Sequence, residues 1–379
     1  MGTADLTFRL HGVICRLYTG RLPFAQYARR HAAVTGLLDA TQESPETASV
    51  QTQAQARVRL HWDVKPPTSS ESWSKGAVQQ LGRRILLRRL PGEVGSRLLQ
   101  TEVPPLPGLQ LEASWSPAGL NLDAYYRPHS PRARLTTRLP APRDRLFAAL
   151  LYYLVYFPLI YLLEQSRGQR LLHAGAVNHP DGAWLLAGLP GSGKTTFALS
   201  LLADPATCLI SDNLLLVDDA AGMQVYTVPE PIHLTQDGRE SLPPVVQALL
   251  HATRQGSSYG RHVYQLTPIR RLQSAPLRAL FCLGIADEPT CRPLSPQAAF
   301  QRLQAGDGLA RELQAYTQFA ATLDLLGSPL QPRRPASLDR LLSNLPCFEL
   351  WLERGADRLL SQAADVMRQV KQAGVGGKR

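Results

Sequence analysis

Paired cysteines are the most telling thing this 379-residue chain does without. Its five cysteines, Cys15, Cys208, Cys282, Cys291 and Cys347, are scattered, with no C-x-x-C pair and no accompanying histidines at zinc-ligating spacing. A disulfide-stapled secreted scaffold and a structural zinc site are both disfavoured, and reduced thiols suit a cytoplasmic protein. No basic segment followed by an apolar core and a cleavage site opens the chain, so secretion is not expected. No internal repeat runs through it.

Acidic residues are in short supply. Lys and Arg number 41 against 30 Asp and Glu, a formal net charge of +11, and nearly all the basic residues are arginine. The excess is uneven: residues 1–145 hold 20 basic against 11 acidic side chains, whereas residues 146–379 hold 21 against 19. Such a field draws acidic peptides, anionic membrane surfaces and nucleic acid alike, and sets encounter rates rather than function. Codon bias in a GC-rich genome would produce the same arginine excess, and no nucleic-acid partner is expected.

Charge vanishes altogether between Arg145 and Glu164. The run Leu146–Leu163 is long enough to be a marginal membrane span. Its four tyrosines, Tyr152, Tyr153, Tyr156 and Tyr161, are spread through it instead of gathering at its ends, and Pro158 interrupts it. A buried helix is expected, docked on the sheet of the domain that follows, without membrane contact.

The hydrophobic share, 44%, is ordinary for a globular protein, and the length allows two domains. Leu6–Tyr18 alternates as a strand and Phe24–Leu38 reads as a helix. The polar stretches Thr41–Gln55 and Pro66–Lys75 have nothing to bury and read as loops. Short apolar runs follow at Arg57–Val64, Ile85–Leu90 and Leu109–Trp115, and Pro128–Pro142, with four prolines, reads as an extended linker. Beyond Arg143 the apolar elements lengthen. Leu171–Val177 and Ala183–Ala187 bracket the turn sequence 178–182 as a hairpin. Strands are expected at Cys208–Ile210, Leu214–Val217, Gln224–Val228, Leu277–Gly284 and Phe348–Leu352. Helices are expected at Lys194–Leu202, Ala298–Gln304, Leu309–Leu326 and Ala356–Lys371.

One motif carries chemistry. Residues 188–195 read Gly188-Leu189-Pro190-Gly191-Ser192-Gly193-Lys194-Thr195, a full G-x-x-x-x-G-K-[ST] phosphate loop between an apolar strand and a helical run. Its glycines let main-chain N–H groups turn toward phosphates, and the helix adds its positive end. Gly188, Pro190, Gly191, Ser192, Gly193, Lys194, Thr195 and Thr196 are the expected nucleotide-binding residues. Lys194 would reach the β and γ phosphates, and the Thr195 hydroxyl would bind Mg²⁺. Phosphoryl transfer also needs a nearby carboxylate. Asp212 ends one apolar strand, and Asp218–Asp219 ends the next as a competing pair. Asp212 follows Thr195 too closely for ABC-type or AAA-type ATPases, and no L-S-G-G-Q signature is present.

The motif order is informative in its own right. Leu172-His173-Ala174-Gly175, the phosphate loop, Ile210-Ser211-Asp212-Asn213 and Val228-Pro229-Glu230-Pro231 together resemble the catalytic domain of the HPr kinase/phosphorylase superfamily, and most closely the HPr-kinase-related proteins, some of which occur with peptide-modification systems. The resemblance spans residues 145–379 and is strong over 171–232. It implies an α/β fold with a P-loop kinase domain of the HPr kinase/carboxykinase type at 143–379. Ahead of it, residues 1–142 read as an N-terminal strand-rich α+β domain, a candidate for acceptor recognition. The resemblance also implies that His173 approaches the γ phosphate or orients the carboxylate, that Asp212 is the general base with Lys194 neutralising phosphate charge, and that Thr195, Asp212 and Glu230 serve Mg²⁺. Glu230 reads equally as an exposed turn residue between two prolines.

Two departures stand out. Asn213 replaces the second acid of the family's pair, which puts phosphorylase chemistry in doubt, and the downstream Arg-Gly-Leu-Gly-Ile signature is missing, which argues against HPr as acceptor. Arg261, Arg270 and Arg271 are candidates for the missing positive charge. The expected activity is ATP-dependent, Mg²⁺-assisted phosphorylation of a Ser/Thr hydroxyl on a peptide or protein, a precursor peptide among them. A catalytically inactive nucleotide-binding regulatory module and a small-molecule kinase are the alternatives. A homo-oligomer is compatible with each.

Overall fold

The computed structural model describes residues 4–37, 55–64, 77–81, 83–89, 96–104, 106–219, 223–253, 260–330, 333, 335–353 and 366. The polar stretches expected as loops, and most of the expected helix Ala356–Lys371, lie outside these residues. The chain is a mixed α/β protein that divides into two compact units, each discontinuous: Met1–Arg167 with Ala315–Arg333, and Gly168–Gln314 with Arg334–Arg379.

The first unit is built on an eight-stranded sheet. Its strands are β1 (Ala4–Leu10), β2 (Val13–Thr19), β3 (Gln55–Trp62), β4 (Ala77–Gln80), β5 (Ile85–Arg89), β6 (Ser96–Gln100), β7 (Leu109–Ser116) and β8 (Gly119–Tyr126). They lie in the order β1-β2-β3-β8-β7-β6-β5-β4. The single strand expected at Leu6–Tyr18 is instead a hairpin, because His11 and Gly12 both take left-handed backbone and reverse the chain in two residues. In β7 and β8 every second residue is buried, so at these strands one face is apolar and the other polar, whereas in β6 the adjacent Leu98 and Leu99 are both buried.

The apolar face is covered by the helix Leu22–Thr35 and by the uncharged run, which spans the helices Pro140–Leu151 and Phe157–Arg167 around a π-turn at Tyr152–Tyr156. Pro158 explains the turn. A proline ring clashes with the carbonyl four residues back, and widening the preceding turn, with Phe157 N–H bonded to Tyr152 O, relieves it. The run docks on the sheet of its own unit, not on the following domain as its sequence position implied. Cys15 Sγ–H donates to Leu154 O at 3.5 Å, the Tyr156 hydroxyl meets His31 Nε2 at 2.8 Å, and Phe147 packs edge-on against Phe24 and Tyr27. Late residues return to the same core: Tyr161 donates to Asp324 at 3.0 Å, and Phe157 packs on Tyr316 and Phe319. The span Pro140–Arg167 has the length and composition to cross a membrane, but 78% of its most apolar window is buried in the protein. Pro128–Pro142 is not extended throughout: Pro131–Thr136 is helical, and Pro140 starts the next helix at a first-turn position that needs no N–H donor.

The second unit holds β9 (Arg170–His173), β10 (Gly175–His179), β11 (Gly182–Ala187), β12 (Cys208–Ser211), β13 (Leu214–Asp218), β14 (Gln224–Thr227), β15 (Ile232–Thr235), β16 (Leu250–Ala252), β17 (Arg261–Leu266), β18 (Ser274–Ile285), β19 (Thr290–Leu294) and β20 (Cys347–Leu352). The main sheet runs β12-β10-β11-β18-β14-β13-β9, with β20 beside β18 and β19 beside β20, while β15-β17-β16 forms a separate small sheet. β11 and β18 pair in parallel and are buried on both faces. Trp184 and Leu186 join Phe197, Phe281 and Phe348 on one side, and Ala183, Leu185 and Ala187 join Leu280, Cys282 and Leu303 on the other. That two-sided burial is why these strands read as continuous apolar runs. The run expected as Leu171–Val177 breaks at Ala174, so that β9 pairs with β13 and β10 with β11 and β12.

Candidate active site

β11 delivers the phosphate loop at its carboxyl end, and the helix Lys194–Ser200 carries the chain away. The loop needs glycine at two kinds of place. Gly188 sits at φ 154°, and a Cβ there would lie 2.5 Å from Ser192 Oγ and 2.8 Å from Leu283 O. Gly191, at φ 87°, borders open space, so a side chain there meets only backbone strain. Replacing Gly188 with Ala should therefore cost about 2–3 kcal/mol of stability and Gly191 with Ala only about 1 kcal/mol, read from thermal unfolding. Equal costs would contradict this packing.

Within the loop, Leu189, Pro190 and Gly191 are exposed and Ser192 is buried. Ser192 Oγ has no hydrogen-bond partner among the described residues. Lys194 Nζ folds back to donate to Gly188 O at 2.8 Å and Leu189 O at 3.1 Å. Burial pulls its pKa down to about 8, against the opposing charge of Asp307. Thr196 lies in the first helical turn, its carbonyl accepting from the Ser200 hydroxyl.

Two strand breaks face each other beside this loop. His173-Ala174-Gly175 separates β9 from β10, and Asp212-Asn213 separates β12 from β13, with His173 opposite Leu214 and Ala176 opposite Ser211. The breaks turn Asp212 toward the loop, where the nearby Thr195 hydroxyl favours its ionised form. Burial raises the Asp212 pKa to about 6, opposed first by the positive charge of Arg271. On the other break, the His173 ring lies beside the Asn213 side chain and the Gly306 main chain, and both favour its charged form. Its Nδ1 is buried without a partner among the described residues. Burial and the nearby Lys194 charge both lower its pKa, which keeps the imidazole neutral. Asn213 Nδ2 donates to Glu230 Oε2 at 3.0 Å. Glu230 is 5% exposed, so it is no surface turn residue; burial first, then the charge of Glu312, raises its carboxyl pKa well above the usual range. It joins the site through Asn213 rather than through Thr195.

The competing acids and arginines separate cleanly. Asp219 accepts from Ser337 N–H at 3.1 Å and pairs with Arg340, a structural role. Arg270 is spent on the carbonyls of Leu202, Asp204 and Thr207. Arg261 is exposed on β17. Arg271 alone of the three stands at the site, with both terminal nitrogens on Glu230 O at 3.3 and 3.4 Å and its charge felt by Asp212.

Asp307 was not anticipated. It comes from the helix Pro296–Leu309, accepts His173 N–H at 3.0 Å and faces Lys194 and Arg170; burial raises its pKa to about 6. The preceding Gly306 lies so close to the loop that a Cβ would come 3.2 Å from Gly188 O. The only sequence signal was a Gly-Asp-Gly interruption in an otherwise helical stretch.

The residues present fit a nucleotide with Mg²⁺. Two buried orphan atoms, Ser192 Oγ and His173 Nδ1, flank an open glycine cradle, and a hydroxyl beside a carboxylate is a hard-oxygen donor pair. No three His, Cys, Asp or Glu side chains converge as an all-protein metal cage among the described residues. That is the pattern for an ion that keeps waters and substrate oxygens.

No protein-family model matches the chain, and no curated protein does either. Among solved structures, the HPr(Ser) kinase/phosphatase from Coxiella burnetii aligns over 54% of this chain and 99% of its own, at 10% identity and a TM-score of 0.28.

Proposed function

We propose that this chain is an ATP-dependent kinase that transfers the γ phosphate to a Ser/Thr hydroxyl of a peptide or protein, with the phosphate loop at 188–195 holding the nucleotide. The observation that supports it is the buried Asp212 carboxyl beside the Thr195 hydroxyl, at the end of the phosphate loop. Loop N–H groups and Lys194 bind the phosphates, with Lys194 leaving the Gly188 and Leu189 carbonyls to do so. Asp212 accepts the proton of the attacking hydroxyl, and a carboxyl raised to about 6 suits a base at neutral pH. Thr195 and Asp212 would hold Mg²⁺, which would supply positive charge against the phosphate oxygens. Arg271 adds fixed positive charge where Asp212 would otherwise stand alone, and His173, neutral and tethered through its N–H to Asp307, holds Asn213 and Glu230 behind the base. The strand-rich unit recruits the acceptor, and a precursor peptide of a modification pathway is the acceptor class we favour.

Asn213 favours one other reading, a regulatory module that binds nucleotide without transfer, since an amide offers neither base nor full charge. Incubation with γ-labelled ATP and candidate peptides decides between them. Label on peptide Ser or Thr is the expected result, binding without transfer supports the regulatory module, and label on a small metabolite points to a small-molecule kinase.

A further inference from the structure

The polar face of the eight-stranded sheet carries a row of arginines that the site does not use. Arg16, Arg57, Asn121, Ser114, Arg97 and Arg88 stand side by side on β2, β3, β8, β7, β6 and β5, each in register with the next. Their chain neighbours Cys15, Leu17, Ala56, Val58, Leu120, Leu122, Ala113, Leu98 and Leu87 are buried, so the row projects from the face opposite the helices. Arg16 is exposed, and Arg57 and Arg88 are half-buried. The Arg97 side chain is 51% exposed. At ~4.8 Å per strand the row is about 24 Å long.

Its charge is not balanced within the sheet. Glu112 lies 3.7 Å from Arg97 and also faces Arg88, and Asp123 is shared between Arg59 at 3.8 Å and His61 at 3.0 Å. Arg16 and Arg57 form no ion pair among the described residues. Arg16 opposite Arg57, and Arg97 opposite Arg88, are like charges directly across neighbouring strands, an arrangement that costs a sheet stability unless an anion lies on it.

We infer that this face binds an acidic polypeptide segment in extended form, with one carboxylate cluster on Arg16 and Arg57 and a second on Arg97 and Arg88. Same-face side chains of an extended chain recur every ~6.8 Å, so about four fit the row, the middle ones opposite the neutral Asn121 and Ser114. A phosphodiester backbone fits less well. It would track past Glu112 and Asp123 in the adjoining row, and Tyr125 is already stacked on His61 instead of offering a base platform. That the bound polypeptide is the phosphoryl acceptor rests on the kinase reading above; the binding itself does not.

The test uses the full chain without nucleotide and a short fluorescein-labelled peptide with a glutamate pair near each end, followed by anisotropy. The wild type should bind, less tightly as salt is raised. Arg57→Glu with Arg97→Glu should weaken binding at least about tenfold, whereas Arg134→Glu with Arg292→Glu, the same charge change at exposed positions elsewhere, should leave it within about twofold. Arg57→Gln with Arg97→Gln should also weaken binding while its unfolding temperature holds or rises, which separates lost contacts from lost fold. No binding at physiological ionic strength, equal losses in the two glutamate pairs, or displacement of the peptide by a lower concentration of single-stranded RNA would each overturn the inference. With γ-labelled ATP added and a serine placed at the centre of the peptide, binding without phosphoryl transfer would leave this surface standing and count against the kinase reading.

Discussion

Replacing Asp212 with Asn should cut phosphoryl transfer by about a thousandfold or more while nucleotide affinity changes only a few-fold, because the amide keeps an acceptor for Thr195 but cannot take a proton. The same change should stabilise the nucleotide-free protein. The folded-state pKa, about 6, lies above the unfolded value of 3.8. Folded protein therefore loses stability as pH rises from about 4 to about 6 and carries an unfavourable buried charge above that. The amide has no such burden, so at pH 7.5 the variant should unfold at higher temperature, by up to about 3 kcal/mol of stability, and the gap should close as pH falls below 4. Calorimetry at the two pH values, beside single-turnover transfer, reads both effects. A variant less stable at pH 7.5, or one that still transfers, would show that Asp212 holds structure and not the proton.

The second large effect is expected at Lys194. Lys194→Met should lower nucleotide affinity about 100-fold, roughly 3 kcal/mol, since a charge-assisted contact to phosphate is lost. Without nucleotide the variant should be as stable as the parent or more so. The ammonium is buried, and burial has already pulled its pKa down to about 8, so a neutral chain of similar length removes a desolvation cost. Affinity by titration calorimetry and unfolding temperature without ligand should thus move in opposite directions. A parallel fall in both would mean that the lysine mainly braces the loop through Gly188 and Leu189.

The parts of this protein with strong local rules were readable in the sequence. The phosphate loop, its strand and its helix are specified by glycines and an apolar run over a few residues, and the 178–182 turn by its own chemistry. Asp212 could be picked as the acid ending a short strand, but only the facing breaks at Ala174 and Asn213 show that it turns toward Thr195. The parts that escaped depend on distant pairing. Asp307 reaches His173 from 134 positions away, and no local pattern distinguishes it from any other helical aspartate. Arg270 and Arg271 are adjacent and identical in sequence, yet one caps a helix end and the other serves the site. The uncharged run reads as a buried helix and most of it is buried, but its composition does not say which sheet covers it. Met1–Arg167 and Ala315–Arg333 cluster together across an intervening stretch, which a boundary placed near residue 142 could not express.

During synthesis the aromatic surface of Phe157 and Tyr161 emerges from the ribosome long before Tyr316, Phe319 and Asp324, the residues that cover it, and all of 168–314 must be translated in between. The first unit therefore cannot finish its core as a nascent domain, and a gene fragment ending at its first boundary would encode a sticky, half-sealed product.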